Sequence, residues 1–160
     1  MRLVAIADTH IPDRCKEIPA AVLKEIKKAD MIVHAGDFTS VEYFNYLRSI
    51  KPLKACRGNL DAPDLQSLLK EKEVFTIQNF RIGIMHGFGN AENVLLNIRR
   101  SFDDTFDLVI FGHTHNGFNE KIGKTIFFNP GSPTDKIFAT CNSYGIIDIN
   151  ETIETTIIKL

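Results

Sequence analysis

Leu3-Val4-Ala5-Ile6-Ala7-Asp8-Thr9-His10 opens the chain with five apolar residues that show no polar alternation, followed by a carboxylate and an imidazole two positions apart. An apolar run without alternation fits a strand covered on both faces, as in a parallel α/β sheet, where ligands gather beyond the carboxyl ends of the strands. Residues i and i+2 share a face in extended chain, so Asp8 and His10 can converge on one point. Pro12 and Asp13 then mark a loop. Taken alone, the segment reads equally well as a capping Asp beside a surface His.

Moving outward, the same arrangement recurs. The spacing predicts a helix from Ile18 to Lys28, with Ile18, Val22 (or Leu23) and Ile26 inward, Pro19 in the first turn and lysines near the C-terminal end. Met31 to His34 reads as a second strand and runs into Ala35-Gly36-Asp37, a carboxylate again delivered at a strand end. His34 lies inside that strand and reads as a core or supporting histidine rather than a ligand. Ser40 to Ile50 is the next helix, with Ser40 as N-cap and Val41, Phe44, Leu47 and Ile50 on one face. Pro52 to Cys56 is a third strand, ending in Arg57-Gly58-Asn59-Leu60-Asp61. In isolation Asn59 would be an ordinary turn residue. It is, however, the third strand in succession to finish beside an oxygen able to bind a metal.

After a short helix from Asp64 to Lys70, the pairing of Val74 to Gln78 with Arg81 to Met85 predicts a hairpin whose second strand delivers His86-Gly87. Ala91 to Arg100 is helical, with Val94, Leu95 and Ile98 inward, and Leu108 to Phe111 leads into Gly112-His113-Thr114-His115. Thr125 to Phe128, Tyr144 to Ile149 and Ile153 to Ile158 are strand-like. Asn129-Pro130-Gly131-Ser132 reads as a turn in preference to a phosphate-contacting loop. Gly87 to Ala91 and Asn116 to Lys121 read as loops in which substrate selectivity would lie.

The 160 residues suffice for one domain, expected over 1–160, with a substantial core. Nineteen Lys and Arg against twenty Asp and Glu give a net charge of -1, which supplies no general electrostatic reason to bind nucleic acid or an anionic membrane. The apolar stretches are short and interrupted by charge, and Asp8 arrives too soon for a signal sequence, so a cytoplasmic location is expected. Cys15, Cys56 and Cys141 are odd in number and lack CxxC spacing, which argues against a disulfide framework or a thiolate zinc site. A homo-oligomer is compatible with all of this.

The strand ends together supply Asp8, His10, Asp37, Asn59, His86, His113 and His115. Carboxylate, amide oxygen and imidazole without thiolate suit a hard to borderline divalent metal, and seven ligands are better used by two ions than by one. Asp8-x-His10, Gly36-Asp37, Gly58-Asn59-x-Asp61, His86-Gly87 and Gly112-His113-Thr114-His115 resemble, in order, the five-block signature of the calcineurin-like metallophosphoesterases. Arg57-Gly58-Asn59 and Asn129-Pro130-Gly131-Ser132 further resemble the small bacterial and archaeal phosphodiesterases that include the retromer subunit Vps29.

That resemblance implies a four-layer α/β/β/α sandwich of two mixed sheets and hydrolysis of a small phosphate ester, most naturally a diester, by metal-activated hydroxide at a dinuclear centre. It assigns Asp8, His10, Asp37 and His115 to one ion and Asp37, Asn59, His86 and His113 to the other, with Asp37 bridging. Manganese is the first expectation, and nickel, iron or zinc also suit the ligands. Asp37, Asn59 and His86 are read as serving catalysis directly, with Asp61 orienting the loop or a ligand histidine. Many family members carry a histidine after the Asn, placed to protonate the leaving group. Leu60 stands there, so leaving groups of low pKa are expected to be favoured. The alternative is a non-catalytic scaffold of the Vps29 kind, for which seven intact ligands have no chemical use.

Overall fold

The computed structural model describes residues 1–160 and contains two five-stranded sheets and four helices. The elements run β1 (Arg2–Ile6), α1 (Ala20–Lys28), β2 (Met31–His34), α2 (Val41–Ile50), β3 (Leu53–Ala55), α3 (Pro63–Leu68), β4 (Lys72–Ile77), β5 (Phe80–Met85), α4 (Ala91–Ser101), β6 (Leu108–Ile110), β7 (Gly117–Ile122), β8 (Thr125–Pro130), β9 (Ser143–Ile149) and β10 (Ile153–Lys159). The first sheet has the order β10-β9-β1-β2-β3, parallel through β1, β2 and β3 and antiparallel at β9 and β10. The second has the order β4-β5-β6-β8-β7, with a parallel centre and antiparallel edges. Both sheets are therefore mixed.

Alternation along each central strand builds the layers. Leu3 and Ala5 of β1 join Val33 of β2 and Ile82, Ile84, Leu108, Ile110 and Phe128 of the second sheet in a buried core between the sheets. Val4, Ile6 and Ile32 point the other way, under Val22 and Ile26 of α1, Phe44 and Leu47 of α2 and Leu65 of α3. On the far side, Val94 and Ile98 of α4 cover Met85, Val109 and Phe127. The order is helix, sheet, sheet, helix, the expected α/β/β/α sandwich. Complete burial of Val4, Ile6, Val94 and Ile98 is what fastens the outer layers, at about 1.5–3 kcal/mol for each such side chain.

Local signals account for most boundaries. Ser40 caps α2, its hydroxyl accepting from the Tyr43 amide at 3.1 Å. The β4–β5 hairpin forms in the register Ile77↔Phe80, turning at Gln78, whose φ of 54° is left-handed. Pro19 lies one residue outside α1, as its N-cap, rather than in the first turn. One expectation is overturned outright: Asn116 to Lys121, read as a selectivity loop, is from Gly117 onward strand β7, antiparallel to β8 along Gly117↔Pro130 to Ile122↔Thr125. It is an edge strand with one side in water, so its Asn, Glu and Lys carry no apolar alternation to read.

Candidate metal centre

The carboxyl ends of β1, β2, β3, β5 and β6 meet where the two sheets converge, and every candidate ligand lies just beyond one of them. Backbone bonds extend the parallel pairing past the strands. The Asp8 amide donates to Gly36 O (3.0 Å) and the His10 amide to Asp37 O (3.0 Å). The second sheet is tied in when the His113 amide donates to the Asp8 carboxylate at 3.0 and 3.2 Å. Backbone must pass close here, and glycine permits it: a Cβ on Gly58 would collide with the Asp37 carboxylate, and one on Gly36, at φ 92°, would meet His86 Nδ1 at 2.7 Å.

Local conformation aims the ligands inward. Asp8, His10, Asp37, His113 and His115 all have left-handed backbone, with φ between 45° and 70°, as does Thr39 at 74°. Non-glycine residues rarely adopt such angles, and they concentrate where surrounding structure holds a functional geometry.

The side chains sort into two groups on either side of Asp37. In one, His10 Nε2 and His115 Nε2 are 3.4 Å apart, and Asp8 Oδ1 is 3.5 Å from His115 Nε2. In the other, Asn59 Oδ1 lies 3.1 Å from both His86 Nε2 and His113 Nδ1, which are 3.3 Å from each other. Asp37 Oδ2 stands 3.7 Å from His10 Nε2 and 3.5 Å from His86 Nε2. Asp8, His10 and His115, and likewise Asp8, Asp37 and His86, bring ligand atoms within 4.8 Å of one another.

Hydrogen bonds on the far side of each ring decide which nitrogen faces the centre with a lone pair. His86 Nδ1 meets Ala35 O at 2.7 Å, His113 Nε2 meets Gly89 O at 2.9 Å and His115 Nδ1 meets Asp135 Oδ2 at 2.8 Å. Those oxygens can only accept, so these nitrogens carry the protons and the opposite nitrogens are free to ligate. His86 Nε2 then faces acceptors alone, namely Asn59 Oδ1, His113 Nδ1 and Asp37 Oδ2. A cation, an added proton or the Asn59 amide turned to present Nδ2 would satisfy such a set, and its carboxylate, amide and imidazole donors fit divalent ions.

Titration follows the same logic. Burial alone would depress His86, but the hydrogen bond to Asp37, the charges of Asp8 and Asp37 and the Ala35 carbonyl outweigh it and hold the imidazole at about 9. Burial would raise Asp37, yet His86 and the Leu60 amide, which donates to Oδ1 at 2.8 Å, take it down to about 2. Asp8, fully enclosed, is pushed up to about 6 by desolvation, and His10 is pushed down to about 4 by its own burial.

The remaining expected residues have clear places. Asp61 touches no ligand histidine. It is buried, accepting from the Phe38 and Thr39 amides at 2.6 and 3.0 Å through Oδ1 and from Gly58 at 2.6 Å through Oδ2, so it pins the Asp37 loop to the Asn59 loop. His34 bonds Thr9 Oγ1 at 3.0 Å, accepts from the Gly36 amide and stacks on Phe38 with centroids 3.5 Å apart, as a core histidine does. Of Asn129-Pro130-Gly131-Ser132, read as a turn, Asn129 and Pro130 are instead the end of β8, paired with Phe118 and Gly117, and the chain bends only at Gly131 (φ 74°), whose amide donates to Asn129 Oδ1. Its polar groups face inward: Asn129 Nδ2 donates to Gly112 O at 2.9 Å and Ser132 Oγ to Asp8 O at 2.7 Å, supporting two of the ligand loops.

Two residues escape the sequence reading. Asp135 fixes the His115 tautomer, and Arg14 stands over the same cavity as His113 and His115. Both lie in loops with no strand end to flag them, although an Asp three residues beyond a Gly-Ser turn was a signal available in the sequence.

Two cavities share Asn59. One, about 400 Å³, is lined by Arg57, Gln66, Glu71, His86 and Phe88 among others, and the second, about 260 Å³, by Arg14, Asp37, Leu60, His113, His115 and Phe138. No helix of the chain is long and apolar enough to cross a membrane.

Residues 1–152 match the calcineurin-like phosphoesterase superfamily domain. The chain is 35% identical over 135 residues to a probable metallophosphoesterase of Methanothermobacter thermautotrophicus, covering 84% of this chain and 78% of that protein. It is 34% identical over 137 residues to one of Methanocaldococcus jannaschii, covering 84% and 69%. Among solved structures, Vps29 of Chaetomium thermophilum superposes with a TM-score of 0.79 at 26% identity, over 99% of this chain and 93% of that one.

Proposed function

This chain belongs to the calcineurin-like phosphoesterase superfamily, and on that footing we propose that it is a phosphodiesterase whose seven strand-end residues hold two divalent ions. The observation that carries this reading is the pair of buried carboxylates between two separate nitrogen groups, Asp37 within 3.7 Å of His10 and His86 and Asp8 within 3.8 Å of His115 and His86. Asp8, His10, Asp37 and His115 would hold one ion, and Asp37, Asn59, His86 and His113 the other. Bound there, the ions would supply Lewis acidity toward a phosphoryl oxygen and lower the pKa of a water, with manganese first among the candidates.

The protein's own contribution is placement. Asp61 keeps the Asp37 and Asn59 loops in register, Asp135 orients His115, and the backbone carbonyls of Ala35 and Gly89 orient His86 and His113. A diester is favoured over a monoester because Asn59 sits between two cavities, giving room for a group on each side of the phosphorus. Leu60, half-exposed at the mouth, offers no proton, so esters of acidic phenols should react best.

Hydrolysis of bis(4-nitrophenyl) phosphate and of 4-nitrophenyl phosphate, with added manganese or nickel and with His86→Ala as control, tests the reading. Metal-stimulated turnover that prefers the diester and is lost in the control is expected. Absence of metal-stimulated turnover in the intact protein would favour a scaffold instead. Likeness to Vps29 over nearly the whole chain is what supports that second reading.

A further inference from the structure

Arg14 sits beside the metal centre in a tight turn in which its amide donates to His10 O at 2.8 Å, and it lines the 260 Å³ cavity together with Leu60, His113, His115 and Phe138. Its evident partner is Asp135, with Nη1 3.5 Å from Oδ1, too long for a hydrogen bond. Nor does Asp135 need it. That carboxylate already accepts from His115 Nδ1 and the Phe138 and Ala139 amides, each at 2.8 Å, and from the Ile137 amide at 3.2 Å. Three of these donors converge on Oδ2 and one on Oδ1, so His115 and the loop amides hold the carboxylate in place without Arg14. Arg14 Nη1 is buried without a hydrogen-bond partner and is held only by this longer ion pair, so the guanidinium is loosely committed to Asp135. The guanidinium is also fixed from the outside by the Phe138 ring, 5.4 Å from Cζ to the centroid.

What shares the cavity identifies the acceptor. By the family resemblance Leu60 stands where an acid would serve the leaving group, and it lines the same cavity as Arg14. Leu60 and Phe138, both exposed, make the outer wall apolar, suited to an aromatic or otherwise apolar group on the ester.

We propose that Arg14 contacts the departing ester oxygen of the substrate and that the Arg14, Leu60 and Phe138 cavity is the leaving-group subsite for an apolar, ring-bearing ester; this rests on the phosphoesterase reading above. In the step, water loses a proton to solvent and adds to phosphorus, the bond from phosphorus to the ester oxygen breaks, and its electron pair stays on that oxygen. The oxygen departs as an anion and takes up a proton from solvent, giving alcohol and phosphate monoester. Arginine does not release its proton, so Arg14 acts by charge-assisted hydrogen bonding and not as an acid.

The test is kcat/KM for methyl aryl phosphate diesters whose phenols range from nitrophenol to unsubstituted phenol, in the wild type, Arg14→Ala and Arg14→Lys, with the metal content of each protein measured. Arg14→Ala should retain its metal and lose about tenfold with nitrophenol but about 100-fold with phenol, the scale of one lost oxyanion donor. Arg14→Lys should recover part of the difference, since it keeps the charge without the fork. An equal loss across the series, or none, overturns the proposal. Should the wild type hydrolyse none of the series, the phosphoesterase reading fails on its own. Titration calorimetry of inorganic phosphate into metal-loaded wild type and Arg14→Ala then decides the residue: binding about tenfold weaker in the variant upholds an anion contact at Arg14, and equal affinity removes it.

Discussion

Asp8, His10 and His115 lie closed from solvent on one side of Asp37, whereas on the other side Asn59 is exposed and His113 half-buried beside an enclosed His86. Both groups are made from similar atoms. The enclosed group is braced by buried partners, with Asp135 behind His115 and the Ser132 hydroxyl on the Asp8 carbonyl. The open group fronts both cavities and shares Asn59 between them. A ligand set already removed from water and fixed by its neighbours loses little freedom when an ion binds, so the enclosed group should hold its ion more tightly and exchange it more slowly. On the proposed two-ion assignment, the open group would be the one to leave room for an incoming phosphoryl oxygen.

The most damaging way to probe this contrast is Asp37→Ala, because Asp37 serves both groups. Elemental analysis should find both ions depleted, and turnover should fall by on the order of 10³-fold or more, as expected when several kcal/mol of metal-derived stabilisation are lost. Retention of two ions would break the assignment of Asp37 as the shared ligand. His115→Ala and His113→Ala separate the groups: the first should release the slowly exchanging ion and the second the fast one, whereas identical loss of both from either variant would erase the distinction. Next in size is chelation. Removing the ions should lower the unfolding temperature by the linkage term, about 2.7 kcal/mol when the free metal had stood 100-fold above its Kd, and a time course should show two phases.

Asp135→Ala sharpens the contrast without touching a ligand. Affinity should fall by about 10–100-fold for the enclosed ion alone, read from competition with a chelator, because His115 loses the bond that fixes its tautomer. The smallest effect belongs to Leu60→His. It places an acid candidate at the open end and should raise turnover of phenyl esters by about tenfold, less than a fully positioned general acid provides, while nitrophenyl esters change little.

The central strands were legible because burial on both faces leaves an uninterrupted apolar run: Leu3 to Ile6 and Met31 to Val33 announce themselves, and each delivers its ligand at the next turn. The candidate cluster was legible through recurrence, since Asp8, Asp37 and Asn59 follow the same kind of element. Edge strand β7 was not, because Gly117–Ile122 keeps one side in water and pairs through backbone groups that any side chain permits. Asp135 and Arg14 were hidden for another reason. Their roles depend on a loop between β8 and β9 folding back over residues 8 to 14, with Thr134 Oγ1 donating to Thr9 O at 2.7 Å, and no local periodicity encodes that return. The same holds for the left-handed residues, which are Asp, His and Thr where turn chemistry alone would have chosen glycine.

That choice of residue bears on how the protein would respond to selection for heat resistance. Five candidate ligand positions, Asp8, His10, Asp37, His113 and His115, hold a conformation that disfavours any residue with a Cβ, at a cost of order 1 kcal/mol each. Together they burden a folded state whose net stability is about 5–15 kcal/mol. Glycine at these sites would relieve the burden and dismantle the centre at the same time. A library of variants ranked only by survival on heating in chelator should therefore enrich glycine at positions 8, 10, 37, 113 and 115, and its hardiest members would be catalytically dead.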